Sequence, residues 1–199
     1  VVSGSGLRSG YIYFADRSSL KIGEVLTPVV SNLNHFGGIQ VAGDILAAGY
    51  ERSESGAAGT SVVLFYDVRN VASPLALDHL TIERTSSGET AGAVGLSRAG
   101  ASWLLLVANW DSERLDFYRS NGDDLFAVGT RFSPVGNWEL SANGFGPGSI
   151  DNGWGAYQNI NLFADRDGLL WFVGMYTRNW LQRNDRIVDL LKADWADLY

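Results

Sequence analysis

The sequence Val63-Leu-Phe-Tyr66 recurs at three other places in the chain, as Tyr11-Ile-Tyr-Phe14, Leu115-Asp-Phe-Tyr118 and Ala196-Asp-Leu-Tyr199. Short runs of aliphatic and aromatic residues of this kind are typical of β-strands. Because the copies recur along the whole chain, they indicate a fold that is built from repeated structural units.

A second repeated block precedes every copy except the first. It consists of an alternating run, a tight turn and an apolar run, and it spans residues 38–50, 93–108 and 159–174. Such a pattern predicts a β-hairpin. A complete unit therefore has four antiparallel strands, an inner hairpin pair followed by an outer pair. We expect the units and their parts at 10–27, 36–83, 91–132 and 157–199, after a lead-in over residues 1–9.

These units predict an all-β fold of the β-propeller type, which is an array of four-stranded antiparallel blades. The chain holds about three and a quarter blades in a single segment, 1–199, and it starts and stops within a blade. We therefore expect open sheet edges, or a partner chain or missing segment that completes the propeller. The alternative is a two-sheet β-sandwich whose strands are similar by coincidence.

Two segments do not follow the repeat. Residues 133–155 are rich in glycine and have no periodicity, and we expect them to form a long loop that carries Trp138, Glu139 and Trp154. Residues 186–194 belong to a tail whose apolar side chains recur at helical spacing, although alignment of the repeats makes Ala196–Tyr199 a strand. Helix and strand both remain open for residues 186–194.

The repeats resemble those of bacterial β-propeller proteins of the LVIVD-like kind. The resemblance rests on the hairpin Gly37-Gly-Ile-Gln40…Gly43-Asp-Ile-Leu46 and on the outer pair Val63-Leu-Phe-Tyr-Asp-Val68…Pro74-Leu75. It covers most of the chain and implies that the chain is a fragment of a larger propeller. Propellers serve as lectins, hydrolases, lyases and docking scaffolds, so the resemblance does not select a function.

Composition excludes several classes of function. The net charge is −7, from 22 acidic and 15 basic residues, which argues against a nucleic acid partner. The chain has no cysteine, which excludes disulfides, thiol catalysis and thiolate metal sites. No run of apolar residues is long enough to span a membrane. Our working prediction for the location is extracellular or periplasmic.

The topology of a propeller blade places the start of each inner strand and the loop after the hairpin on one face. We expect any ligand site on this long-loop face. Its aromatic rings suit the apolar faces of sugars, while amides and arginine suit sugar hydroxyls. The alternative for each tryptophan is that it fills a gap between blades. The candidates for ligand binding are His35, Gln40, Arg52, Trp110, Trp154, Gln158, Asn159, Arg178 and Trp180.

Two other functions remain open, a glycan-active hydrolase or lyase and a protein-docking scaffold. A glycosidase needs two carboxylates across a bound sugar. The candidates on the expected face are Glu51, Glu89, Asp111 and Glu139, and their spacing does not single out a pair. A Ser-His-Asp hydrolase would need His35 or His79, the only histidines, and the chain has no G-x-S-x-G motif.

No cofactor is predicted, although two acidic turns carry oxygen ligands that would suit Ca²⁺. Asp165-Arg-Asp-Gly168 has the start of a calcium-loop motif, and Asn121-Gly-Asp-Asp124 clusters several oxygens. Neither turn has the further ligands of a complete calcium loop. Asp165 and Asp167 are the candidate metal ligands. Aspartate, asparagine and glycine are also the residues that a tight turn between strands requires, so turn formation is the alternative explanation for both sequences.

Overall fold

The computed structural model describes residues 1–5, 9–19, 21–28, 30, 32–52, 60–86, 89–110, 112–139, 155–180 and 183–193. Within these ranges the chain is all-β, with antiparallel strands in four sheets, which we label A to D in chain order. The only other regular element there is one turn of 3-10 helix, Asp78–Leu80. The all-β class predicted from the repeats is therefore confirmed, and so is the antiparallel pairing.

Sheets A and B come from the first half of the chain. Sheet A has the order β1-β2-β3, with β1 at Val2–Ser5, β2 at Gly10–Ala15 and β3 at Ile22–Leu26. Sheet B contains β4 at His35–Ala42, β5 at Ile45–Glu51, β6 at Ser61–Asp67, β7 at Leu75–Ala76 and β8 at Ile82–Arg84. Both β7 and β8 pair with β6, so the 3-10 turn divides one outer strand into two.

Sheets C and D come from the second half. Sheet C has the order β12-β11-β10-β9, with β9 at Ala93–Ala99, β10 at Ser102–Ala108, β11 at Arg114–Ser120 and β12 at Phe132–Glu139. Sheet D has the order β13-β14-β15, with β13 at Asn159–Ala164, β14 at Leu170–Trp180 and β15 at Arg183–Ala193.

Three sequence expectations are corrected or resolved by these boundaries. Residues 2–5 are not part of a lead-in but form β1, because they pair with β2 and the Ser3 hydroxyl donates to the carbonyl of Gly37 at 3.2 Å. The expected loop from residue 133 begins with a strand instead, since Val135 and Trp138 of β12 pack on the core. The tail is a strand through Ala193, paired with β14 along its length. Ala196–Tyr199 and Trp154 lie outside the described residues.

The hydrophobic core fills the spaces between successive sheets. Phe14 of sheet A packs with Phe36 and Tyr50 of sheet B, Phe65 of sheet B with Leu105 of sheet C, and Phe117 of sheet C with Phe172 of sheet D. Burial of such side chains contributes roughly 1.5–3 kcal/mol each to the free energy of folding. The four sheets therefore stack face to face in chain order.

The first strands of sheets B, C and D also meet one another directly. The amide of Gly38 in β4 donates to the carbonyl of Gly92, just before β9, at 2.8 Å. A Cβ atom on Gly95 of β9 would lie only 2.9 Å from the Cβ of Leu162 in β13. Because real Cβ atoms are never so close to another heavy atom, the strands reach this distance only with glycine.

Candidate ligand-binding site

One end of the sheets brings together polar and aromatic side chains from sheets B, C and D. It comprises the start of β4, the end of β5, the turn after β10 and the residues before β13, and we call it the loop end. His35, Glu51, Trp110, Ser112 and Tyr157 lie there, one or two from each of sheets B, C and D. Contacts between the sheets confirm the grouping, since the Tyr157 amide donates to the Ser112 hydroxyl at 3.1 Å.

His35 and Trp110 form an aromatic pair at the loop end. Their ring centroids are 5.5 Å apart, and both side chains are half-buried. The Nδ1 atom of His35 is 2.7 Å from the Ser5 hydroxyl of β1, and burial lowers the pKa of His35. The amide of Trp110 donates to the Thr90 hydroxyl at 2.6 Å, which fixes the turn after β10 against the segment before β9.

Glu51 is the neighbour of His35 across the β4–β5 pair, and it is 1 % exposed. Its Oε2 accepts a hydrogen bond of 2.7 Å from the amide of Ala91 in the segment that leads into sheet C. Burial raises the pKa of Glu51 to about 7, against the opposing effects of the Ala91 hydrogen bond and the positive charge of Arg84. The carboxyl group therefore titrates close to neutral pH.

A row of polar residues crosses sheet B at this end. His35 is opposite Glu51 in the strand register, and Ser61 is opposite Arg84 on β8. Residues that are opposite each other on antiparallel strands share a face of the sheet. The Ser61 hydroxyl donates to the carbonyl of Glu89 at 2.7 Å, so this row is also tied to the segment before sheet C.

Arg84 anchors a buried ionic network between sheets B and C. Its side chain is 1 % exposed and donates to the carboxylate of Asp116 and to the hydroxyl of Tyr118, both at 2.7 Å. Asp116 also accepts from Nε of Arg114 at 2.8 Å, and Arg114 lies 3.5 Å from the carboxylate of Glu139. The network holds the two sheets in one orientation, because each charge has a geometrically defined partner.

Sequence reasoning did not find Arg84, Asp116, Thr90 or Ser112. The reason is that burial and partners across sheets set their roles, and neither is visible in the local pattern. The sequence around Arg84, Ile82-Glu83-Arg84, has no pattern that indicates burial of the arginine.

The remaining candidates are distributed more widely. Gln40 lies in the middle of β4, where its carboxamide bonds to backbone groups of β9 and β13. Arg52 and Gln158 are exposed beside the loop end, and Asn159 begins β13. Arg178 and Trp180 belong to the last part of β14.

Glu89 accepts from the amide of Ser86 at 3.2 Å. Asp111 and Trp154 lie outside the described residues. The ligand-binding role of the other residues and the catalytic role of Glu89 and Asp111 stay predictions.

The two acidic turns use their oxygens for turn structure. Asp165 accepts hydrogen bonds from the amides of Asp167 and Leu169 and from the indole of Trp171, and the Trp171 bond holds the pKa of Asp165 below its usual value. Asp124 likewise accepts from the amide of Phe126 at 2.9 Å. In the part of the chain that the structure describes, no three His, Asp or Glu residues cluster as metal ligands would. Calcium binding at Asp165 and Asp167 stays a prediction.

His79 lies in the 3-10 turn. Its Nε2 is 3.0 Å from the carbonyl of Leu125, in the loop between β11 and β12. This contact links sheets B and C. Among the described residues, no helix has the length and apolar character needed to span a membrane.

Comparison of the chain with models of known protein families, with characterised proteins and with solved structures finds no match.

Proposed function

We propose that the chain is a segment of a β-propeller that binds a glycan or another polar ligand at the loop end. Two observations support the propeller arrangement. Successive antiparallel sheets stack face to face in chain order, and the first strands of sheets B, C and D converge on one another. In a propeller these would be neighbouring blades around a common axis.

The observation that carries the binding proposal is the His35–Trp110 pair beside Glu51. A partly exposed indole offers an apolar face on which a sugar ring can stack, while an imidazole next to it donates or accepts a hydrogen bond. Ser5 and Thr90 already orient the two residues, so a ligand would meet a largely preformed surface. A glycan ligand fits the extracellular or periplasmic location that we predict.

Binding to an array of glycans, followed by calorimetry with the best ligand, tests this proposal. We expect Trp110→Ala to weaken binding at least about tenfold, since it removes the stacking surface. The matched control is Trp103→Ala, because Trp103 is also half-buried but lies at the opposite end of sheet C. Equal affinity of the Trp110→Ala variant and the wild type would contradict the proposal.

A glycan-active hydrolase or lyase is the second candidate, and the raised pKa of Glu51 favours it. A carboxylic acid that keeps its proton near neutral pH can act as a general acid. Loss of turnover in Glu51→Gln with ligand binding retained would favour this candidate. A chain that binds no glycan yet retains a protein in a pull-down would instead be a docking scaffold.

A further inference from the structure

A cleft with a volume of about 340 Å³ lies between sheets A and B, along their outer strands. It lies where the outer strand of sheet B is interrupted, since β7 ends at Ala76 and the 3-10 turn Asp78–Leu80 separates it from β8. Its volume is in the lower part of the range for sites that bind small molecules. The lining does not include His35, Glu51 or Trp110, so the cleft and the loop end are separate surfaces.

The walls of the cleft are apolar and come from both sheets. Leu26 at the end of β3 and Val30 in the segment after it form one wall, and Leu64 of β6 forms the other. All three side chains are half-buried against the core between sheets A and B, so part of each remains accessible. Such walls suit an apolar group, because contact with them removes apolar surface from water on both sides.

Asp78 brings a negative charge to the edge of these walls. It carries the only charge at neutral pH among the described residues that line the cleft. Its side chain is exposed, and its carboxylate forms no hydrogen bond or ion pair with any residue that the structure describes. A carboxylate beside an apolar surface attracts a cation and repels an anion, and both effects are stronger there than in open water.

The phenol of Tyr66 lies close to this carboxylate. Tyr66 is opposite Ala76 in the pairing of β6 with β7, and it is 7 % exposed. Burial raises the pKa of Tyr66 to about 12, and the negative charge of Asp78 adds to this effect. The phenol therefore keeps its proton at neutral pH, and its oxygen can accept a hydrogen bond from a cationic donor at Asp78.

We propose that this cleft binds an organic ammonium ion with an apolar body, about the size of an arylalkylamine. The ammonium group pairs with the carboxylate of Asp78 and donates to the hydroxyl of Tyr66. The apolar body packs between the two walls of the cleft. A neutral analogue keeps the apolar contact and loses the ion pair, whereas an anionic analogue brings a second negative charge to Asp78. Affinity should therefore decrease from amine to alcohol to carboxylate.

The test is titration of the wild-type chain with phenethylamine, phenethyl alcohol and hydrocinnamate, followed by NMR. The three probes share an aromatic ring on a short linker and differ in charge. We expect millimolar binding of phenethylamine, binding about threefold to tenfold weaker for the alcohol, and still weaker binding for the carboxylate. Failure of phenethylamine to bind, or equal affinity of the three probes, would overturn the proposal.

Asp78→Asn should remove the preference for the amine, because asparagine keeps the shape of the side chain without its charge. Phenethylamine and phenethyl alcohol should then bind with equal affinity. Glu83→Gln is the matched control, since Glu83 is an exposed carboxylate on β8 of the same sheet and does not line the cleft. A preference for the amine that persists in Asp78→Asn would contradict the proposal.

Ala76→Trp provides a variant that leaves the charge in place. Ala76 is exposed and lines the cleft opposite Tyr66, so an indole there would fill the cleft without removing a side-chain hydrogen bond of the fold. This substitution should abolish binding of all three probes. Retention of phenethylamine binding in Ala76→Trp would overturn the proposal. Loss of phenethylamine binding in Trp110→Ala would also overturn it, and would place the amine at the loop end instead.

Discussion

A carboxyl group that is 1 % exposed, such as that of Glu51, holds its proton far more tightly than one in water. An unfolded chain releases this proton near the ordinary value of 4.5, whereas the folded chain releases it near pH 7. Between these values the unfolded state binds fewer protons than the folded state. The stability that Glu51 contributes is therefore fully present below pH 4.5, falls as the pH rises, and is lost above pH 7.

Glu51→Gln should flatten this dependence. The glutamine keeps an oxygen for the Ala91 amide but has no proton to lose, so the variant should not show the decrease of roughly 3 kcal/mol in the free energy of unfolding that ionisation causes. Urea unfolding at a series of pH values between 4 and 8 measures this dependence of the free energy of unfolding on pH. Glu83→Gln is the control, since Glu83 is an exposed glutamate on β8 of the same sheet. Identical pH slopes in wild type and Glu51→Gln would contradict the assignment.

The sequence predicts which residues lie at the loop end, but it does not predict their burial or their partners. The repeat places His35, Glu51 and Trp110 at corresponding ends of strands, which is why they share one end of the sheets. The sequence does not reveal that Glu51 is buried, because burial depends on Ala91 and Arg84 from elsewhere in the chain. For the same reason Arg84 and Asp116, which form the ion pair between sheets, were not found.

At the scale of the strands, glycine sets how closely the sheets approach. Gly49 lies in the middle of β5, and a Cβ atom at this position would overlap the carbonyl oxygen of Ala91. Gly37 faces the same carbonyl from β4. Sheet B therefore contacts the segment before β9 through backbone atoms, which is closer than any pair of larger side chains would allow.

We expect Gly49→Ala to lower the free energy of unfolding by about 2–3 kcal/mol, because β5 cannot move away from Ala91 without breaking its pairing with β4 and β6. Gly129→Ala is the control, since a Cβ there meets no atom within 4 Å. It should be neutral or slightly stabilising. Thermal unfolding measures both variants, and an unchanged midpoint in Gly49→Ala would contradict the close approach.

The strands that the sequence predicts are those with strong local patterns, such as β5, β6 and β10. The two that it missed lack such patterns. Three of the four residues of Val2–Ser5 are serine or glycine, and Phe132–Glu139 contains Pro134 and Gly136. Both are strands because a neighbour supplies the pairing, β2 in one case and β11 in the other. Tertiary pairing outweighs local preference at such sites.

At the scale of the whole molecule, a single side chain joins three sheets. Gln40 of sheet B bonds to the backbone of Leu96 in sheet C and of Leu162 in sheet D. Repeats in the sequence indicate how many sheets to expect and how each is paired internally. They do not indicate how the sheets are joined, because Gln40 occurs in one unit only and its partners are backbone groups.

Gln40→Leu should destabilise the fold by about 3 kcal/mol, since it leaves two amides and one carbonyl without partners between the sheets. Hydrogen exchange of the Leu96 and Leu162 amides should accelerate more than that of amides within the hairpins. Gln158→Leu is the control, because Gln158 is exposed. Exchange that accelerates equally everywhere would show that the sheets unfold as one unit without a specific contribution from Gln40.

The bond from Gln40 to Leu162 joins residues that are 122 positions apart, which has a consequence for synthesis of the chain. Ribosomes add about 5–20 residues per second, so β4 leaves the ribosome roughly 10 s before β13 does. Hairpins such as β4–β5 close within about 10 μs. For most of its synthesis the chain therefore consists of finished sheets whose inner edges are still exposed to water. During this interval Gln40 and the glycines beside it are the surface on which premature contacts with another nascent chain would form.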